Sequence, residues 1–185
     1  MTAERAPVRS GFSRSRRLAL VSVAVAVALA AAVLATRIAS PTSVVVEDSG
    51  VHVEITYTGG TRGEVVAVFH PLDAGFHVYG PELPRDGIDG AGRPTLLELP
   101  TGSAWSPTGP LAAEPPRTLQ SLSSFDQPFP VFPDGPATLR LPVELDTSAP
   151  PGTDLVVSLT YMACSSSGLC LAPVIGREVS VPTRS

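Results

Sequence analysis

The sequence predicts an all-β body behind a single apolar N-terminal segment, and three observations carry that expectation. Pro numbers 20 and Gly 16 among 185 residues, close to a fifth of the chain, which works against long helices in the body. Beyond residue 40 the apolar residues recur with period two rather than 3.6. Aliphatic runs are frequent enough to exclude a disordered chain.

Taken in order, Val51, Val53, Ile55 and Tyr57 alternate with His52, Glu54 and Thr56, the pattern of a half-buried strand, and Gly59-Gly60 closes it. A second strand follows over 64–70. Residues 76–79 and 95–99 read as short strands bounded by Gly and Pro. Leu139, Leu141, Val143 and Leu145 face one way along the next strand, and Pro142, which lacks a donor, marks it as an edge. Residues 154–163 form the longest candidate, and 174–181 the last, interrupted by Gly176. About seven short strands with frequent turns point to a two-sheet, immunoglobulin-like β-sandwich. Between them, 100–136 is too rich in Pro for a regular element and reads as one long loop. Its Trp105, Phe125, Phe129 and Phe132 fit either a lid over a site or a plug for the end of the sandwich.

The N-terminal segment sets the compartment. All 13 basic residues are Arg, and six of them precede residue 38 with one acid, Glu4, so 1–17 reads as a cytoplasmic Arg-rich stretch. The following run, LALVSVAVAVALAAAVLA from Leu18, has Ser22 as its one polar residue. That length lies between a secretory signal core and a spanning helix, so 18–38 is a membrane anchor, or a signal segment cut after Val33-Leu34-Ala35. The body is extracytoplasmic in either case, single-pass at the cell membrane or secreted after cleavage. From Ile38 onward seven Arg stand against 16 acids, and such an acidic body repels phosphate backbones, so nucleic acid is not expected as a partner.

The chemistry rests on Cys164 and Cys170, the only cysteines. In an oxidising compartment two cysteines this close pair when geometry allows, and the Ser-rich turn with Gly168 permits it. As a staple, so short a loop returns only about 2.4 kcal/mol, against roughly 4.7 for a 100-residue loop. Zinc needs four ligands, and C-x5-C is not a knuckle spacing, so His52, His70 and His77 would have to converge from other strands. Copper(I) finds soft sulfur at Met162 beside Cys164, but the chain has only two Met. Thiol–disulfide exchange needs only the two sulfurs. An inert hairpin disulfide in a non-catalytic surface binding module, a copper-handling protein and an exchange protein therefore all remain open on the residues alone.

The run Tyr161-Met-Ala-Cys164-Ser-Ser-Ser-Gly168-Leu-Cys170-Leu-Ala-Pro173 closely resembles the Tyr-x-x-Cys-x-x-x-Gly-x-Cys-x-x-Pro hairpin of the N-terminal extracytoplasmic domain of the thiol:disulfide interchange protein DsbD. Gly75-Phe-His-Val-Tyr79 is similar to that family's aromatic strand, Leu99-Pro100 to Trp105 to its Leu-Pro and following Trp, and Leu139-Arg-Leu-Pro-Val143 to its strand before the hairpin. The resemblance spans 44–182. It implies a redox domain without cofactor or bound metal, in which Cys164 and Cys170 are the catalytic pair. Phe125 and Phe129 would then shield the pair as a cap, with Tyr79, His77 and Tyr161 lining the site. The implied partners are a CcdA-type membrane electron carrier, thioredoxin-like proteins, and oxidised extracytoplasmic disulfide proteins or apocytochromes. Family members continue into a polytopic domain and a thioredoxin-like domain, so this chain is expected to work as a tethered relay beside a separate carrier.

Overall fold

The computed structural model describes residues 41–183; the Arg-rich stretch 1–17 and the apolar segment 18–38 lie outside them. Among the described residues every regular element is a strand: β1 (Thr42–Asp48), β2 (Val51–Gly59), β3 (Arg62–Pro71), β4 (Phe76–Val78), β5 (Leu96–Glu98), β6 (Trp105–Pro107), β7 (Ala112–Glu114), β8 (Thr118–Gln120), β9 (Phe129–Val131), β10 (Ala137–Leu145), β11 (Leu155–Tyr161), β12 (Ala163–Ser165) and β13 (Val174–Val181). None of them is a helix long and apolar enough to cross a membrane. The all-β expectation holds.

The larger sheet runs β1-β2-β3-β10-β6, with β7 also on β10. The second runs β13-β11-β5, and two short pairs, β12-β4 and β8-β9, extend the structure around the cysteines. Alternation along the strands sends Val53, Ile55 and Phe69 of the first sheet and Leu155, Leu159 and Tyr161 of the second into one shared core, all fully buried. Each such side chain contributes about 1.5–3 kcal/mol by leaving water.

β1 is an element the sequence reading left out. It pairs with β2 along its whole length, and Ser49 and Gly50, both at positive φ (48° and 70°), make the tight turn. Two consecutive positive φ values match the right-handed twist of a two-residue hairpin. The run Val44-Val45-Val46 conceals the alternation, because Val45 faces solvent at 55% exposure while Val46 is buried.

Pro142 does not mark an edge, since β10 carries β3 on one side and β6 and β7 on the other. The ring is tolerated because it falls in the gap between those two short partners. β6 pairs with Val143 to Leu145 and β7 with Thr138 to Arg140, while Pro142 O accepts from Thr108 N at 2.9 Å. No donor is needed where no strand lies opposite.

The long loop 100–136 holds four short strands, and its aromatics divide. Trp105 and Phe132 join the main core. The Trp105 indole meets Tyr57 edge-on at 5.4 Å and donates to the carbonyls of Thr153 and Asp154, both at 3.2 Å, so it plugs the end of the fold near the β2–β3 turn. Phe125 and Phe129 instead pack into a second cluster with Cys164.

The strand expected over 154–163 is two strands. Register shifts after Leu159, where Ile175 and Gly176 of β13 stand opposite Thr160, and Gly176 N donates to Thr160 Oγ1 at 3.1 Å. Such a bulge twists the chain. Past Met162 it leaves β13 and pairs with β4 as β12, which carries the first cysteine out of the main core.

Candidate functional site

The two cysteines face each other across a tight hairpin. Ser165 N donates to Leu169 O at 2.8 Å and Leu171 N to Ala163 O at 2.9 Å, which makes Cys164 and Cys170 the non-hydrogen-bonded pair between them. Opposed residues at such a position come closest, with Cα atoms about 4.5 Å apart in regular sheet. Here they are 4.0 Å apart, and the sulfurs are joined in a disulfide. The C-x5-C spacing is thus a turn spacing: Gly168 takes φ 88°, which L side chains rarely adopt, and its N–H donates to Ser165 O at 3.0 Å. Ser165 Oγ accepts from Leu169 N at 3.1 Å and pairs with Ser167 Oγ at 2.8 Å, so the serines hold the turn locally.

The two sulfurs have different surroundings. Cys164 is 1% exposed and packs with Tyr79, Leu83, Phe129 and Val131, with Phe125, Leu122 and Met162 partly buried around them. Cys170 lies on the exposed return of the hairpin beside Leu169, which is 64% exposed. The Tyr79 hydroxyl lies 3.9 Å from Cys170 Sγ, within reach of a weak hydrogen bond to sulfur. Burial pushes the Tyr79 pKa up, so that hydroxyl keeps its proton and remains a donor.

Of the expected cap residues, Phe129 is fully buried and meets Tyr79 at 5.7 Å and Phe125 at 5.0 Å between ring centroids. It is the floor of the cluster. Phe125 is the half-buried outer ring, set by a turn in which its N–H donates to Leu122 O at 3.0 Å. Tyr161, expected to line the site, sits elsewhere: it is fully buried in the main core, edge-on to Phe69 at 5.4 Å, and donates to Asp48 O at 3.3 Å. Strand alternation explains this, because Tyr161 points inward before the chain switches sheets at Met162. Burial, with Asp48 adding to it, pushes its hydroxyl up to about 12.

His77 is directly opposite Cys164 in the β12–β4 pair. It is 3% exposed, packs edge-on to Tyr79 at 6.0 Å, and holds Nδ1 3.9 Å from Asp134 Oδ1, a largely exposed carboxylate. Burial lowers its pKa, and Asp134 and the Gln120 side chain pull it part of the way back. Nε2 is buried without a hydrogen-bond partner. Leaving such an atom unpaired costs about 1–3 kcal/mol.

Among the described residues no three His, Cys, Asp or Glu side chains converge. His52 and His70 are cross-strand neighbours on β2 and β3, with ring centroids 6.1 Å apart, whereas His77 belongs to β4. A groove of about 1020 Å³ is lined by Glu82, Pro115, Pro116, Arg117, Leu119 and Pro130 among others, and neither cysteine lines it. Its Arg117 is bound by Glu82 and lies over the Phe132 ring at 5.6 Å.

Leu83, Val131 and Leu122 around Cys164, and Asp134 beside His77, were not expected from the sequence. Asp134, in the Pro133-Asp134-Gly135 turn after β9, has no local signature of a site residue. Leu122 is likewise one apolar residue in a polar loop. Comparison of the chain with protein-family models, with curated proteins and with solved structures returns no match.

Proposed function

We propose that this chain is an extracytoplasmic thiol–disulfide interchange relay on an immunoglobulin-like sandwich, similar to the N-terminal domain of DsbD, with Cys164 and Cys170 as its redox pair. One observation carries the reading: a disulfide with one sulfur exposed at a hairpin and the other buried under an aromatic cluster. Exchange proceeds by attack of a thiolate on a disulfide sulfur, and access selects which one. Cys170 is the sulfur an incoming partner can reach, so the mixed disulfide forms there and Cys164 leaves. A second thiol of the partner then attacks its own bridged sulfur, which releases Cys170 and completes the transfer of two electrons. Leu169, and Leu119 at 72% exposure, give apolar surface for a partner to cover.

The likeness of the hairpin sequence supplies the partner classes. Reducing equivalents come from a thioredoxin-like protein or a CcdA-type membrane carrier and pass to oxidised extracytoplasmic proteins, apocytochromes among them. In this reading residues 18–38 tether the chain to the membrane.

The deciding experiment is the reduction potential of the pair, from thiol-alkylation mass shifts of the chain equilibrated in graded dithiol buffers. A relay lies at roughly −180 to −270 mV and is reduced rapidly by a thioredoxin-like donor. A potential below about −300 mV with slow exchange would leave an inert staple in a binding module.

A further inference from the structure

The geometry points to His77 as the acid–base partner of the buried sulfur, taking up a proton as Cys164 becomes a thiolate and holding it between that sulfur and Asp134. The inference rests on the relay reading and deepens it. Directly opposed residues of an antiparallel pair have Cβ atoms about 4.5–5.5 Å apart on one face, so the imidazole and Sγ of Cys164 share a wall of the same buried cluster. Nδ1 is turned toward Asp134 at 3.9 Å, which leaves Nε2 on the buried side, where it has no partner. The unpartnered nitrogen belongs to the residue that the strand pairing sets opposite Cys164. In the oxidised protein no sulfur offers it a proton, whereas in the reduced protein Cys164 does.

The groups facing His77 leave this role to it alone. From β4 comes Tyr79, whose hydroxyl is taken up with Cys170. From β8 comes Gln120, which does not titrate and whose amide donates to Ser166 O at 3.3 Å. From the turn after β9 comes Asp134, and from the hairpin Cys164 itself. Arg117, over the neighbouring Phe132 ring, is held by Glu82.

The step balances as follows. A partner thiolate attacks Cys170 Sγ; the bond between Cys170 and Cys164 breaks, and its electron pair stays on Cys164 Sγ. The ring takes up one solvent proton at Nε2, bare in the oxidised protein, and becomes imidazolium, with Nδ1–H toward the carboxylate and Nε2–H toward the thiolate. Moving the Nε2 proton to sulfur yields the thiol and restores the neutral ring. When the partner's second thiolate resolves the mixed disulfide, Cys170 leaves beneath the Tyr79 hydroxyl and takes its proton from water.

The test titrates Cys164 alone, in the full chain carrying Cys170→Ser, by following thiolate ultraviolet absorbance against pH. His77→Phe keeps a ring of similar size and removes both nitrogens, and His77→Gln keeps polarity without titration. Each should raise the thiol midpoint by about one unit, a tenfold loss of thiolate at a given pH. Asp134→Asn, an exposed change that leaves the core intact, should raise it by a smaller amount. Unchanged midpoints in His77→Gln and Asp134→Asn overturn the inference. In parallel the unsubstituted chain is mixed with a thioredoxin-type dithiol. A midpoint that responds while the disulfide stays inert sustains the pairing of His77 with Cys164 and removes the relay. A midpoint that ignores His77 in a chain whose disulfide exchanges removes the pairing and leaves the relay.

Discussion

Reducing the Cys164–Cys170 disulfide should destabilise the fold by no more than about 2.4 kcal/mol. The two residues are six apart in sequence, and closing so short a loop removes little freedom from the unfolded chain. For a domain of this size that is a fall in Tm on the order of 10 °C. Two structural details push the difference lower. The hairpin keeps its own backbone pairing on both sides of the cysteines, and reduction offers His77 Nε2 the partner it lacks. Stability and redox poise form one thermodynamic cycle. A disulfide that stabilises the folded chain by 2.4 kcal/mol is itself favoured by folding by the same amount, about 50 mV. A weak staple is therefore what a pair exchanging in both directions requires. The assay is paired urea unfolding of the oxidised and reduced chain, with the Cys170→Ser variant as a control for reoxidation. A difference of about 4 kcal/mol or more would refute the reasoning, since the fold would then be holding the disulfide shut.

Phe125→Ala should cost under about 1 kcal/mol of stability, because the ring is half-buried, yet speed reduction of the disulfide by a small thiol; an unchanged rate would remove Phe125 from the cover. Phe129→Ala, at a fully buried position, should cost about 3–5 kcal/mol in the same unfolding measurement. Tyr161→Phe should lose about 0.5–1.5 kcal/mol with its bond to Asp48 O and leave the exchange rate as it was, because the ring belongs to the main core. The folded His77 has its pKa below the ordinary 6.5, so the unfolded chain binds more protons as pH falls through that value, and stability is lost there. The stability is present in full above pH 6.5, falls by at most about 1.4 kcal/mol per pH unit below it, and the fall should be absent from His77→Phe; equal slopes in the two proteins would show a ring that titrates freely.

Much of the site was legible before any fold. The alternation of Val51, Val53, Ile55 and Tyr57, and of Leu139 through Leu145, places whole strands, because a half-buried sheet writes its period into the chain. The spacing of Cys164 and Cys170 around Gly168 is local, and the hairpin it implies is the one that forms. β1 escaped because three consecutive Val hide a period of two. The short strands of 100–136 escaped because three-residue pairs flanked by Pro carry no period at all. Phe125 and Phe129 could be matched to the cysteines only through the resemblance, which did not separate them into outer ring and floor.

What the sequence determined alone is what depends on neighbours along the chain: strand period, turn chemistry, the pairing distance of the cysteines and the acidic character of the body. Only the tertiary structure decided which sulfur is exposed, that Tyr161 serves the core, that Pro142 occupies an interior gap, and that His77 stands opposite Cys164 with Asp134 near its Nδ1. Those facts follow from strand pairings between residues as far apart as His77 and Cys164, and from one bulge at Thr160 that turns the chain from one sheet to another. No local propensity encodes a register between distant segments, because it is set by which buried faces fit together once the whole core has formed.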